Sequence, residues 1–205
     1  MKNQTAHFFE SIPGWFTFEY LYKSIATNAK DGQHFVEIGA FLGKSTSYLA
    51  VEIKNSRKNI KLDVIDTWKG SPNEAQSGAI IKKHGADIYH VFIENMKKGG
   101  VLDIINPVRM DSVGASRLYT DESLDFVFID ADHAYHAVQA DIRAWHPKVK
   151  GGGILAGDDY GTKAGVKQAV NEFAMDKKVL VTMSEDGYLH WLHQKSSDLP
   201  TLAHA

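Results

Sequence analysis

The stretch Val36-Glu37-Ile38-Gly39-Ala40-Phe41-Leu42-Gly43-Lys44-Ser45-Thr46 decides the fold. Its start extends His34-Phe35 into a short apolar strand, His34 to Ile38. Its glycines make a turn, and from Lys44 to Lys54 apolar residues recur at three-to-four spacing, as on an amphipathic helix. Strand, glycine turn and helix in succession open a βα unit, and the turn is where an α/β fold brings backbone N–H groups to a ligand. A dinucleotide fingerprint counted from Gly39 needs glycine where Phe41 and Lys44 stand. A phosphate loop ending in Lys44-Ser45 needs glycine where Ile38 stands, and counting from Gly39 leaves it one residue short. The run Phe126 to Asp130 still imitates the apolar strand with a magnesium-binding Asp that phosphate-loop enzymes carry. Glu37 weighs against that rival, since a carboxylate beside the turn repels a triphosphate and suits a ligand with an amino group and no phosphate.

Working outward, Lys61 to Ile65, Ile105 to Met110, Leu124 to Ile129 and Gly153 to Ala156 read as further short strands, each followed by turn or acidic residues. Asp87 to Lys98, Tyr135 to Trp145 and Lys163 to Met175 have helical spacing. Such alternation specifies a parallel sheet covered on both faces. Val179 to Met183 and Tyr188 to His193 flank Ser184-Glu185-Asp186-Gly187, a hairpin turn that closes the sheet with an antiparallel pair. No repeat or Pro/Ser-rich linker divides residues 1–205, which read as one domain with a loose tail from Ser196. Seven of the 22 aromatic residues fall in the first 22 positions: Phe8, Phe9, Trp15, Phe16, Phe18, Tyr20 and Tyr22. This aromatic segment, taken as helical over residues 1–30, either packs on the sheet, makes a subunit contact, or covers a substrate pocket as a lid.

Composition narrows the function. A chain of 205 residues, 43% hydrophobic and 23% charged, buries a core without disulfides. Lys+Arg 23 against Asp+Glu 25, with no basic face, argues against nucleic acid as a partner. The absence of cysteine removes thiolate zinc sites and cysteine nucleophiles. No signal-peptide pattern and no long apolar run are present, so a cytoplasmic protein without a membrane partner is expected.

The segments VEIGAFLGKST, VIDTW, FVFIDADHAYHAVQADIRAW and GGGILAGDDY, with the upstream Ile12-Pro13-Gly14-Trp15, together resemble class I S-adenosylmethionine-dependent methyltransferases, in the small O-methyltransferase branch of sugar and catechol type. The resemblance runs over about residues 12 to 160. It implies a Rossmann-like three-layer α/β sandwich with a seven-stranded sheet of order 3-2-1-4-5-7-6, strand seven antiparallel. It also implies that S-adenosylmethionine lies along Glu37, Gly39, Ala40, Phe41 and Gly43, with Ser45 near the methionine carboxylate. Asp66, next to Thr67, resembles the acid that holds the ribose hydroxyls, and Asp111-Ser112 the segment along the adenine edge. A carboxylate accepts both ribose hydroxyl protons, which agrees with that placement.

Asp130 ends the fourth strand and Asp158-Asp159, 28 residues on, end the fifth, so three carboxylates converge at the sheet edge where ligands bind. They repel one another unless a cation sits between them, and oxygen donors favour Mg²⁺. The resemblance agrees, because metal-dependent relatives place acids at these strand ends; Asp159, where catechol-type enzymes often carry Asn, leans toward the sugar-modifying type. Asp130 also borders the cofactor. Asp132 and His133 are the candidate catalytic residues, as orienter and base for the acceptor hydroxyl. The expected activity is methyl transfer to a hydroxyl of a small molecule or sugar, with a metal-independent methyltransferase and a phosphoryl-transfer protein as alternatives. Beyond the acceptor, the partner expected is a second copy of the chain.

Overall fold

A computed structural model of the chain describes residues 4–71, 75–183 and 190–197. After a 3-10 turn at Phe9–Ser11, the elements are α1 (Glu19–Asn28), β1 (His34–Ile38), α2 (Lys44–Ser56), β2 (Lys61–Asp66), α3 (Ala75–Lys83), α4 (Tyr89–Lys98) and β3 (Ile105–Arg109). There follow α5 (Ser112–Ser116), β4 (Leu124–Ile129), α6 (Tyr135–Trp145), β5 (Val149–Gly157), α7 (Ala164–Lys177), β6 (Thr182–Met183) and β7 (Trp191–Gln194). The sheet order is β3-β2-β1-β4-β5-β7-β6, with β1 to β5 parallel and β7 antiparallel to both its neighbours. This is the expected Rossmann-like sandwich. The expected hairpin turn at 184–187 and most of the tail lie outside the described residues.

Alternation along the central strands builds two cores. Phe35, Phe126 and Phe128 face one side, beneath α1, α2 and α4, while Val36, Ile38, Val127 and Ile129 face the other, beneath α6 and α7. Burial on both faces is why these strands read as nearly continuous apolar runs. Ile38 pairs with both Ile65 and Ile129, and Ile129 pairs with Gly157, so the ends of β2, β1, β4 and β5 come level at one edge. The site sits there.

Three departures from the sequence reading have physical reasons. The fifth strand begins at Val149 because Gly151, Gly152 and Gly153 extend it through an irregularity opposite Leu124 and Phe126. A Cβ at Gly153 would lie 3.0 Å from the Asp125 carbonyl, so glycines that look like a turn serve a bulge. The first 30 residues are not one helical segment: irregular chain, bent at Ile12 and Gly14, separates the 3-10 turn from α1. Packing claims most of its aromatics, with Phe16, Phe18 and Tyr22 buried and Phe8 and Phe9 against the core, whereas Trp15 stays 60% and Tyr20 83% exposed. Finally, α3 and α5 were not anticipated, the first being short with Gly78 in its middle and the second a single short turn.

Candidate active site

At the level strand ends lies a cavity of about 880 Å³. The loop from β1 forms one wall. Gly39 has φ +91°, and a Cβ there would sit 1.7 Å from the carbonyl oxygen of Asp130, so the β1 and β4 ends approach as only glycine permits. Gly43, φ +89°, turns the chain into α2 and packs against Phe92 and Met96, away from the cavity. Phe41 also takes a left-handed φ of 48° and lines the cavity with Ala40.

Asp66 sets this loop. One carboxylate oxygen accepts the N–H groups of Ala40 at 2.9 Å and Phe41 at 2.8 Å, and the other accepts that of Trp68 at 2.7 Å. Burial pushes its pKa up, and those N–H groups pull it back. Asp66 and Thr67 line the cavity as expected, but the loop N–H groups at 40 and 41 point to Asp66, which thus clasps the turn as well as facing the ligand space.

Glu37 is placed differently from its sequence-based role. It is two residues from Phe35 and shares its face, so its side chain enters the core beneath α1 and α2, 1% exposed, and does not line the cavity. Hydroxyls of Tyr22 (2.9 Å), Ser45 (2.6 Å) and Thr46 (2.5 Å) all donate to it. Burial pushes its pKa up to about 7, against the lowering by these hydroxyls. Glu37 and Gly43 therefore hold the turn from behind, while Ser45 both lines the cavity and donates to Glu37.

A stability prediction follows. Between the ordinary value of 4.5 and about 7 the folded protein keeps a proton on Glu37 that the unfolded chain releases. Stability from this group is therefore full below about pH 4.5 and is lost as pH rises through 7, by an order-of-magnitude ~3 kcal/mol. Glu37→Gln is expected to flatten that part of the stability–pH curve, measured by urea unfolding from pH 4.5 to 8. Parallel curves for the two proteins would contradict it.

The opposite wall carries the acidic group. Asp130, Asp132, His133, Asp158 and Asp159 all line the cavity. Donor atoms of Asp130, His133 and Asp159 lie within 4.8 Å of one another. His133 Nε2 is 3.0 Å from Asp159 and 3.5 Å from Asp130. Burial alone would depress this imidazole, but the two carboxylates outweigh it and raise its pKa to about 10. In this arrangement His133 is an imidazolium among carboxylates, not the neutral base expected from the sequence. Burial, then the charge of Asp130, raises Asp158 to about 7, and among the described residues its buried Oδ1 has no hydrogen-bond donor. Asp132 accepts from the Ala134 N–H at 2.8 Å and the Ser71 hydroxyl at 2.6 Å, so it pins the turn into α6 to the loop after β2.

Asp111 and Ser112 line the far end; Asp111 caps α5 by accepting from the Gly114 N–H at 2.8 Å. Residues outside the candidate set also reach the cavity: Trp15, Lys44, Asp141 and Lys163. Lys44 donates to the Gly14 carbonyl at 3.1 Å, tying the N-terminal segment to the glycine loop, and the Trp15 ring lies 6.2 Å from that of Phe41. Sequence offered the lid reading for the aromatics that include Trp15, the disfavoured phosphate loop for Lys44, a faint signal for Asp141, an acid at helical spacing from Ala137 on an otherwise apolar face, and none for Lys163.

A family model described as a methyltransferase domain matches residues 36–160, more than half the chain and the whole span from β1 to the β5 edge. The chain belongs to this methyltransferase family. The class I resemblance read from the sequence is thus borne out. A curated relative, an uncharacterized protein of Acanthamoeba polyphaga mimivirus, is 28% identical over 134 residues, 65% of this chain. The chain spans about half of that relative, 54% of its length. Among solved structures, the O-methyltransferase NovP superposes with TM-score 0.65 at 16% identity, over 87% of this chain and 77% of its own. A SAM-dependent O-methyltransferase from Thermotoga maritima gives 0.59 at 12%, over 91% of this chain and 69% of its own. At such identities these structures share the fold with this methyltransferase.

Proposed function

We propose that this methyltransferase moves the methyl group of S-adenosylmethionine to a hydroxyl of a small molecule or sugar, in the cytoplasm, at the cavity described above. The observation that carries the reading is the meeting, in one cavity, of the Asp66-clasped glycine loop with the Asp130, His133, Asp158 and Asp159 cluster. In the transfer the carbon–sulfur bond to the methyl breaks, an oxygen–carbon bond forms, the hydroxyl proton leaves, and S-adenosylhomocysteine is released. The glycine loop, Ser45, Asp66 and Thr67 hold the cofactor and orient its methyl toward the acidic wall.

The acidic wall also fits a divalent cation. Its groups are carboxylate oxygens with one imidazole beside them, and among the described residues nothing donates to the buried Asp158 Oδ1. Asp130, Asp158 and Asp159 are the residues that would hold Mg²⁺ or Mn²⁺, and a bound ion would acidify the acceptor hydroxyl. Asp130 sits between this wall and the cofactor loop, whose Gly39 abuts its carbonyl. His133 is the proton-accepting group of this wall once deprotonated, and Asp132 holds the turn that carries it. A metal-independent transfer is the second reading, favoured by one observation: the His133 imidazolium already neutralises carboxylate charge at the wall.

Calorimetry tests the cofactor assignment. S-adenosylmethionine and S-adenosylhomocysteine are expected to bind more tightly than ATP or NAD. Tighter binding of either nucleotide would reject the reading in favour of phosphoryl transfer or hydride chemistry.

A further inference from the structure

A second cavity, of about 460 Å³, lies between α6 and α7 and shares no lining residue with the first. Helix α6 gives Ala137, Ala140 and Asp141 to the first cavity, and Ile142 and Arg143 to the second. The volume falls within the roughly 300–1,000 Å³ of small-molecule sites. Ile142 and Ala169 are buried and form an apolar floor with Phe173, and the His146 ring stands edge-on to that of Phe173 with centroids 5.0 Å apart. Arg143 and Lys177 lie at the exposed rim. Two carboxylates also reach the cavity, and both are engaged. Glu172 accepts from the Tyr135 hydroxyl at 2.5 Å, from Gln139 at 3.3 Å and from Gln168 at 3.0 Å. Asp176 has a side chain 76% exposed and pairs with the adjacent Lys177 at 3.5 Å. Among the described residues the Arg143 guanidinium makes no hydrogen bond or ion pair.

The surroundings of His146 are positive. Burial pushes this imidazole down to about 4, and the charges of Lys195, His193 and Lys177 push it the same way. His193, on β7, has its ring 5.7 Å from that of His146. Cations in a last helical turn, as Arg143 and Lys177 are, complement the carbonyl end of the helix. That accounts for their sign but not for the apolar hollow beneath them. An anion with an apolar body fits both features. We propose that this cavity is a binding site for a small aromatic carboxylate, its ring against Ile142 and Phe173 and its carboxylate on the guanidinium of Arg143. The planar fork of Arg meets a carboxylate with two parallel N–H bonds, and a ring beside Phe173 gains an aromatic contact in addition to its burial. Nothing in this site draws on the first cavity, so the proposal stands apart from the methyl-transfer reading.

The probe is naphthoate, with naphthylmethylamine as its cationic counterpart and acetate as an anion without a ring. Binding is read by NMR from the imidazole resonances of His146 and His133, assigned with His146→Gln and His133→Gln. Naphthoate is expected to shift the His146 resonances saturably while the amine leaves them in place, and acetate to bind at least ~10-fold more weakly because it buries no ring. Arg143→Gln, at an exposed position that leaves the floor intact, is expected to weaken naphthoate by about 10-fold or more, the loss of a charge-assisted hydrogen-bonded pair. Equal shifts from the amine, no saturation below about 10 mM, or an unchanged affinity in Arg143→Gln would each overturn the proposal. Movement of the His133 resonances alone would overturn it too, because the probe would then occupy the first cavity.

Discussion

Gly39→Ala is expected to unfold the protein or to cost at least about 4 kcal/mol of stability, well above the ~1 kcal/mol typical of a point substitution. The reason is local and steric. A Cβ at position 39 would be 1.7 Å from the Asp130 carbonyl oxygen and 2.5 Å from its carbonyl carbon, both backbone atoms that no rotamer change can move. Relief requires prising β1 from β4 at the point where the Asp130 N–H donates to the Ile38 carbonyl at 2.8 Å. Gly32→Ala is the internal control. Gly32 has a similar φ of +82°, but nothing lies within 4 Å of its would-be Cβ, so only the left-handed backbone penalty of ~1–2 kcal/mol remains. Urea midpoints of the two variants should differ severalfold in their displacement from wild type. Equal displacements would show that the β1–β4 edge is not as closely joined as the structure has it.

Sequence periodicity reads much of this fold because the strands are buried on both faces and the helices on one. Leu124–Ile129 and Tyr135–Trp145 emerge with the ends that the pattern predicts. What periodicity cannot read is contact between distant segments. Glu37 beside a glycine turn looks like a ligand group, and only the return of Tyr22 from α1 to meet it reveals a core carboxylate held by hydroxyls. The sequence put His133 beside Asp130, and it lies there, within reach of Asp159 as well. Its charge depends on the spacing of Asp130 and Asp159, which belong to different strand ends and meet only in the folded chain. Trp15 was one of seven aromatics read together as sheet packing, a subunit contact or a lid, and packing divided them by burying Phe16, Phe18 and Tyr22 while leaving Trp15 exposed at the cavity. Asp141 gave only a faint signal for the same reason: its hydrogen-bond partner, Ser112, stands after β3, to which nothing in its own helix refers.

The acidic wall yields the largest effect expected on activity. Asp158→Asn is expected to abolish binding of Mg²⁺ or Mn²⁺, followed by calorimetry, and to lower methyl transfer by at least ~10³-fold, about 4 kcal/mol of transition-state stabilisation. Folding should be unharmed. Asp158 is a carboxylate beside two others, with a buried oxygen that accepts no hydrogen bond among the described residues, so neutralising it removes repulsion from the protein without ion. Affinity for S-adenosylhomocysteine should stay within about threefold, because the residues proposed to hold the cofactor, the loop with Ser45 and Asp66, are not among the acidic group. Chelator treatment of the wild type should reproduce the loss and added Mn²⁺ should reverse it, assayed on a panel of catechols and reducing sugars by release of S-adenosylhomocysteine. Full turnover in excess chelator would transfer the role to His133, whose imidazolium already bridges Asp130 and Asp159. The wall would then bind the acceptor through its own charges rather than through an ion.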